Sequence, residues 1–144
     1  MTGIAQIRAL YEGYLDAATR VEMARKPMDG VFGIGKKPSD DPCHERFAAA
    51  MEESLRDFAG TGPDSAAARE VLAYIYEAPV VFREPLRAYW MMTAVHGFTL
   101  PLIEKLSRDD AAALLARYGK DFRRWNRLPV QQQVYAALKR ISGQ

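Results

Sequence analysis

Residues 29–45 read DGVFGIGKKPSDDPCHE, and this stretch separates the first helical pattern of the chain from all the later ones. It is the longest segment without helical periodicity, and it holds the only cysteine, one of the two histidines and three of the ten glycines. The sequence on both sides reads as amphipathic helices with short connections. We therefore predict an all-α, single-domain helical bundle of five to seven helices over residues 1–144, with this glycine-rich loop between the first two helices.

Length and composition are those of an ordinary globular domain. The chain has 144 residues, of which 49% are hydrophobic and 26% are charged, close to the averages for globular proteins. Its single cysteine cannot form an intramolecular disulfide, as is usual in reducing compartments. The sequence shows no signal-peptide pattern and no apolar run of the ~20 residues that span a bilayer. These features predict a soluble, cytoplasmic protein without a membrane partner.

Apolar periodicity and capping residues place the individual helices. The helix predicted from Pro85 is apolar on nearly every side, which puts it at the centre of the bundle. The core face expected for the first helix includes Ile4, Ile7, Tyr11 and Tyr14, and that of the last helix comprises Val130, Val134, Ala137, Leu138 and Ile141. Capping residues and prolines predict four further helix starts, at Asp41-Pro42, at Asp64 or Ser65, at the capping-box pair Ser107 and Asp110, and at Pro129. Two glycines, Gly60 and Gly119, predict helix ends.

Charge is distributed unevenly along the chain, whose net charge is +2. Residues 40–70 contain eight acids and three bases, a local charge of −5, whereas residues 117–140 contain seven bases and one acid, a local charge of +6. Two regions of opposite charge can attract an external polyanion, join two parts of one protein, or join two protomers. We expect the partner to be a second copy of the chain or another protein.

The glycine-rich loop has the spacing of a nucleotide-binding phosphate loop but not its context. Gly30, Gly35 and Lys36 satisfy G-x-x-x-x-G-K, but Lys37 stands where the magnesium-binding serine or threonine belongs. A phosphate loop also leaves a buried strand and enters a helix, whereas this loop follows a helix and meets a proline before the next one. We therefore exclude nucleotide hydrolysis. A surface loop shaped by its glycines is the favoured interpretation, and an anion site at Gly33, Gly35 and Lys36 is the alternative.

Cys43 and His44 begin the second predicted helix. The partial positive charge of a helix N-terminus favours a thiolate and a neutral imidazole, and both suit a metal ligand or a nucleophile. His96 would complete a metal or small-ligand site if the central helix brings it close. Zinc sites, however, use three or four ligands at recognisable spacing, and the sequence has no CxxC or HExxH motif. A buried, inert cysteine and a hydrogen-bonded core histidine are the competing interpretation.

Residues 120–127, KDFRRWNR, place arginines beside aromatic residues. Arg123, Arg124 and Arg127 can contact phosphates while Trp125 stacks on a base, as in proteins that bind single-stranded nucleic acid. The chain is only mildly basic and carries no signature of a nucleic-acid-binding fold. Nucleic acid is therefore not the expected partner.

The sequence thus favours a non-catalytic interaction or ligand-binding domain, with its ligand and any cofactor left open. The first alternative is a metal- or thiol-dependent site built on Cys43 and His44 with His96. The second is weak binding of single-stranded nucleic acid through residues 120–127. An enzyme is the less favoured class, because adjacent acids such as Glu52 and Glu53 diverge around a helix and cannot act as a catalytic pair.

Overall fold

The computed structural model describes residues 3–23, 42–77, 94–124 and 129–144. Within these ranges, the side chains of residues 21–23 and 121–124 are outside the description. The glycine-rich loop up to Asp41 and the helix predicted from Pro85 up to residue 93 also lie outside the described residues.

The described residues form helices joined by turns, without a strand, and this confirms the predicted all-α bundle. Most of the expected boundaries agree with the structure, including the last helix, which begins at Pro129. The helices are α1 (Ile4–Met23), α2 (Cys43–Gly60), α3 (Ser65–Glu77), α4 (described over residues 94–98), α5 (Leu100–Ile103), α6 (Arg108–Arg124) and α7 (Pro129–Ser142).

Aromatic side chains join α1 to α2 and α3 in the core. Tyr14 stacks on Phe47 of α2, with ring centroids 4.1 Å apart and planes only 3° from parallel. Tyr11 meets Phe47 edge to face at 5.1 Å and Tyr74 of α3 at 5.6 Å. Such aromatic pairs contribute packing energy beyond the area that they bury. The apolar stripe of α1 is therefore the core face that its periodicity predicts, with Ile7, Tyr11, Tyr14 and Ala18 all buried.

The prediction that Gly119 ends a helix is wrong, because α6 continues to Arg124. Gly119 is buried, and a Cβ atom at this position would lie 3.7 Å from Cε2 of Tyr135 in α7. At Gly97 in α4, a Cβ atom would lie 3.5 Å from Cγ1 of Val130, also in α7. Both glycines thus lie where a neighbouring helix packs against their backbone, and at Gly119 this packing overrides the weak tendency of glycine to end a helix.

Side-chain caps hold the N-termini of α3 and α6 against each other. Asp64 accepts a hydrogen bond from the backbone N–H of Ala67 at 2.7 Å, as expected for an N-cap. Ser107 likewise accepts from the backbone N–H of Asp110 at 3.2 Å. The Asp110 carboxylate then crosses to α3, where Ser65 donates to it and Arg69 donates at 3.0 Å. These bonds, led by that from Ser65, lower the pKa of Asp110 below its ordinary value.

The C-terminus of α7 ends in a Schellman motif that α6 covers. Gly143 has a φ of +76°, its N–H donates to the carbonyl of Arg140, and the N–H of Gln144 donates to the carbonyl of Lys139. Arg108, the first residue of α6, donates from Nε to the carbonyl of Ser142 at 3.1 Å. A Cβ atom at Gly143 would lie 2.7 Å from the Arg108 guanidinium. Glycine is therefore favoured here by the backbone angle, whereas the guanidinium lies at the end of a flexible side chain and can shift.

We expect Gly143→Ala to lower the free energy of unfolding by about 1–2 kcal/mol, because an alanine in the left-handed region is strained. The matched control is Gly13→Ala inside α1, where no described atom lies within 4 Å of the new Cβ atom. This control should instead raise the free energy of unfolding by about 0.5–1 kcal/mol. Urea denaturation of the three proteins measures both values, and a Gly143→Ala variant as stable as the parent would contradict the prediction.

Candidate functional site

Two groups of hydrogen-bonded polar side chains in the described core contain the two histidines, one in each group. The first lies between α1 and α2, where the Tyr14 hydroxyl is 2.7 Å from Nδ1 of His44. The second lies among α3, α4, α6 and α7 and surrounds His96. We call the second group, which consists of Tyr76, His96, Thr99, Tyr118 and Gln131, the His96 cluster.

His44 is a buried histidine with a hydrogen bond inside the core. Its side chain is 6% exposed, its ring meets that of Tyr14 edge to face at 5.6 Å, and Cys43 beside it is 7% exposed. The sequence allowed this arrangement as the alternative to a ligand site. The hydrogen bond to Tyr14 satisfies a polar group that would otherwise be costly to bury.

The three predicted metal ligands do not form a metal-binding group among the described residues. Within the described ranges, no group of three or more His, Cys, Asp or Glu side chains is placed to hold a metal ion, so Cys43, His44 and His96 do not form one. His96 instead meets Gln131 of α7. The other residues of the predicted ligand site are outside the described residues, and their role stays a prediction: Gly33, Gly35 and Lys36.

The residues of the predicted nucleic-acid stripe also fall largely outside the description. Arg123 and Arg124 lie in the last turn of α6, but only their backbone is described, and Trp125 and Arg127 are not described. Arg117, one turn earlier than Lys120, forms an ion pair with Glu77 of α3 at 2.5 Å. One base of the positive C-terminal region is therefore paired within the chain, and nucleic-acid binding stays a prediction.

The His96 cluster is held together by short polar contacts between helices that are distant in sequence. Nε2 of Gln131 lies 3.0 Å from Nδ1 of His96, which joins α7 to α4. The Tyr76 hydroxyl lies 3.0 Å from Oγ1 of Thr99, and Thr99 donates to the carbonyl of His96 at 2.5 Å. The hydroxyl of Thr99 therefore links α3 to the end of α4 instead of capping α5.

Aromatic rings surround these polar contacts. The ring of Tyr76 meets that of His96 at 5.2 Å and that of Tyr118 at 5.6 Å, both edge to face. Edge-to-face contact places the positive edge of one ring against the negative face of the next. The cluster is thus a small polar centre with aromatic walls, which is a common composition for a small-molecule site.

Gln131 lies in the cluster because it occupies a core position of α7. It is spaced three residues from Val134 and seven from Leu138, and all three are buried, with Gln131 only 3% exposed. The sequence prediction placed Val130 inward and overlooked Gln131. The signal that could have found it is a polar residue in register with the apolar stripe of its helix. Such a residue needs a hydrogen-bond partner, and His96 is the one it meets.

Burial keeps the His96 cluster uncharged near neutral pH. It lowers the pKa of His96 to about 4, against an ordinary value of 6.5. It also raises the pKa of Tyr76. Burial first, and then the nearby Glu77 carboxylate, raise the pKa of Tyr118 to about 12. With Gln131 donating to Nδ1, the neutral imidazole of His96 carries its proton on Nε2.

Two polar atoms of the cluster have no hydrogen-bond partner of normal geometry within the part of the chain that the structure describes. Oε1 of Gln131 is buried and accepts no hydrogen bond there. The Tyr118 hydroxyl, which lies beside Glu77, likewise makes no hydrogen bond of normal geometry to the described residues. A buried acceptor left unpaired costs about 1–3 kcal/mol. A hydrogen-bond donor that reaches Oε1 of Gln131 would therefore stabilise this arrangement.

Comparison with known protein families, curated proteins and solved structures finds no match to this chain. Among the described helices, none is both long enough and apolar enough to cross a membrane.

We expect the stability of the protein to fall by about 2 kcal/mol through His96 when the pH is lowered from 7 to 5. Between pH 6.5 and about 4 the unfolded chain binds a proton at His96 and the folded chain does not. The contribution of the neutral, buried His96 to the free energy of unfolding is therefore complete above pH 6.5 and is lost as the pH falls toward 4. Urea denaturation at pH 7 and at pH 5 measures the change.

The matched variant is His96→Asn, whose side-chain oxygen can accept the hydrogen bond from Gln131 but cannot titrate. The carboxylates and His44 are common to both proteins, so their contributions cancel in the comparison. The loss between pH 7 and pH 5 should be about 2 kcal/mol smaller in the variant. Equal losses in the two proteins would show that His96 titrates alike in the folded and unfolded chains.

Proposed function

We propose that this chain is a non-catalytic helical domain that binds a small molecule at the His96 cluster. The observation that carries the proposal is Oε1 of Gln131, a buried acceptor without a partner among the described residues, in a side chain that is 3% exposed. Native proteins satisfy most buried polar groups, so each exception needs a physical account. A bound molecule that donates to this oxygen provides one.

The position of the cluster supports a role in binding. Its side chains come from α3, α4, α6 and α7, so a molecule bound among them contacts helices that are far apart in the sequence. Such a molecule stabilises the folded chain, because it binds only when these helices are assembled. Aromatic walls around a few polar groups are also typical of small-molecule sites.

We also propose a protein partner, either a second copy or another chain, and a reducing compartment such as the cytoplasm. The uneven charge of residues 40–70 and 117–140 supports the partner. Exposed acids such as Glu53 and Asp57 in α2, and exposed bases such as Lys120 and Lys139 in α6 and α7, are available on the surface. The single cysteine, which is buried, supports the compartment.

A ligand-observed NMR screen tests small-molecule binding directly. The probes are mixed fragments of all three charge types, and the proteins are the parent, Gln131→Met and the control Gln133→Met. Gln133 lies on the exposed side of the same helix, so the control repeats the chemical change away from the cluster. We expect at least one fragment to bind the parent and the control, and to lose affinity about tenfold or more in Gln131→Met.

Two results would contradict the proposal. The first is that the parent protein binds no fragment. An ordered water would then be the hydrogen-bond partner of Oε1 of Gln131. The second is binding that survives Gln131→Met unchanged, because the site then lies elsewhere on the chain. Circular dichroism confirms beforehand that both variants are folded.

A further inference from the structure

We draw no further inference here: the strongest candidate, the exposed acidic side chains Glu53 and Asp57 near the end of α2, is a surface patch that supports no proposal, because nothing in the described part of the chain shows what covers it.

Discussion

The contact between Gln131 and His96 is a polar constraint on how α7 packs against α4. It places a glutamine on the buried stripe of α7 that otherwise carries Val134 and Leu138. Such a residue is tolerated only if its carboxamide is satisfied, and the partner is an imidazole on α4. This hydrogen bond limits how α4 and α7 can slide along each other as well as how far apart they lie. His96 must in turn remain neutral, since burial disfavours its protonated form.

The packing around this contact is consistent with close approach of α7 to its neighbours. Gly97 on α4 lies beside Val130, and Gly119 on α6 lies beside Tyr135, so a glycine occurs where α7 meets each of these two helices. At the far end of α7, Arg108 donates to the carbonyl of Ser142. The helix is thus held at its first turns by a buried polar contact and at its last turn by the start of α6. Its placement gives the cluster its shape.

Local signals in the sequence predicted most of the helical architecture. Proline at the start of α7, aspartate before α3 and serine before α6 act over three or four residues, and each lies where it was expected. Gly119 was assigned wrongly because its position depends on Tyr135, which is distant in sequence and comes close only in the folded chain. Local propensity cannot represent such a contact.

The candidate site was harder to predict for the same reason. The rarity of cysteine and histidine drew attention to Cys43 and His44, but rarity does not report spatial neighbours. His96 was selected for its place on the central helix, and the structure places it instead against a glutamine from the last helix. Only the register of Gln131 with its apolar neighbours indicated burial. Its partner could not be identified without the packing of α4 against α7.

The tautomer of His96 tests the central claim most directly. Long-range ¹H–¹⁵N correlation NMR at neutral pH distinguishes protonation at Nδ1 from protonation at Nε2. If Gln131 donates to His96 as described, the imidazole is a single neutral species with its proton on Nε2 and an unprotonated Nδ1. A proton on Nδ1, or an imidazole that averages between the two tautomers, would contradict this arrangement and leave Oε1 of Gln131 without its proposed role.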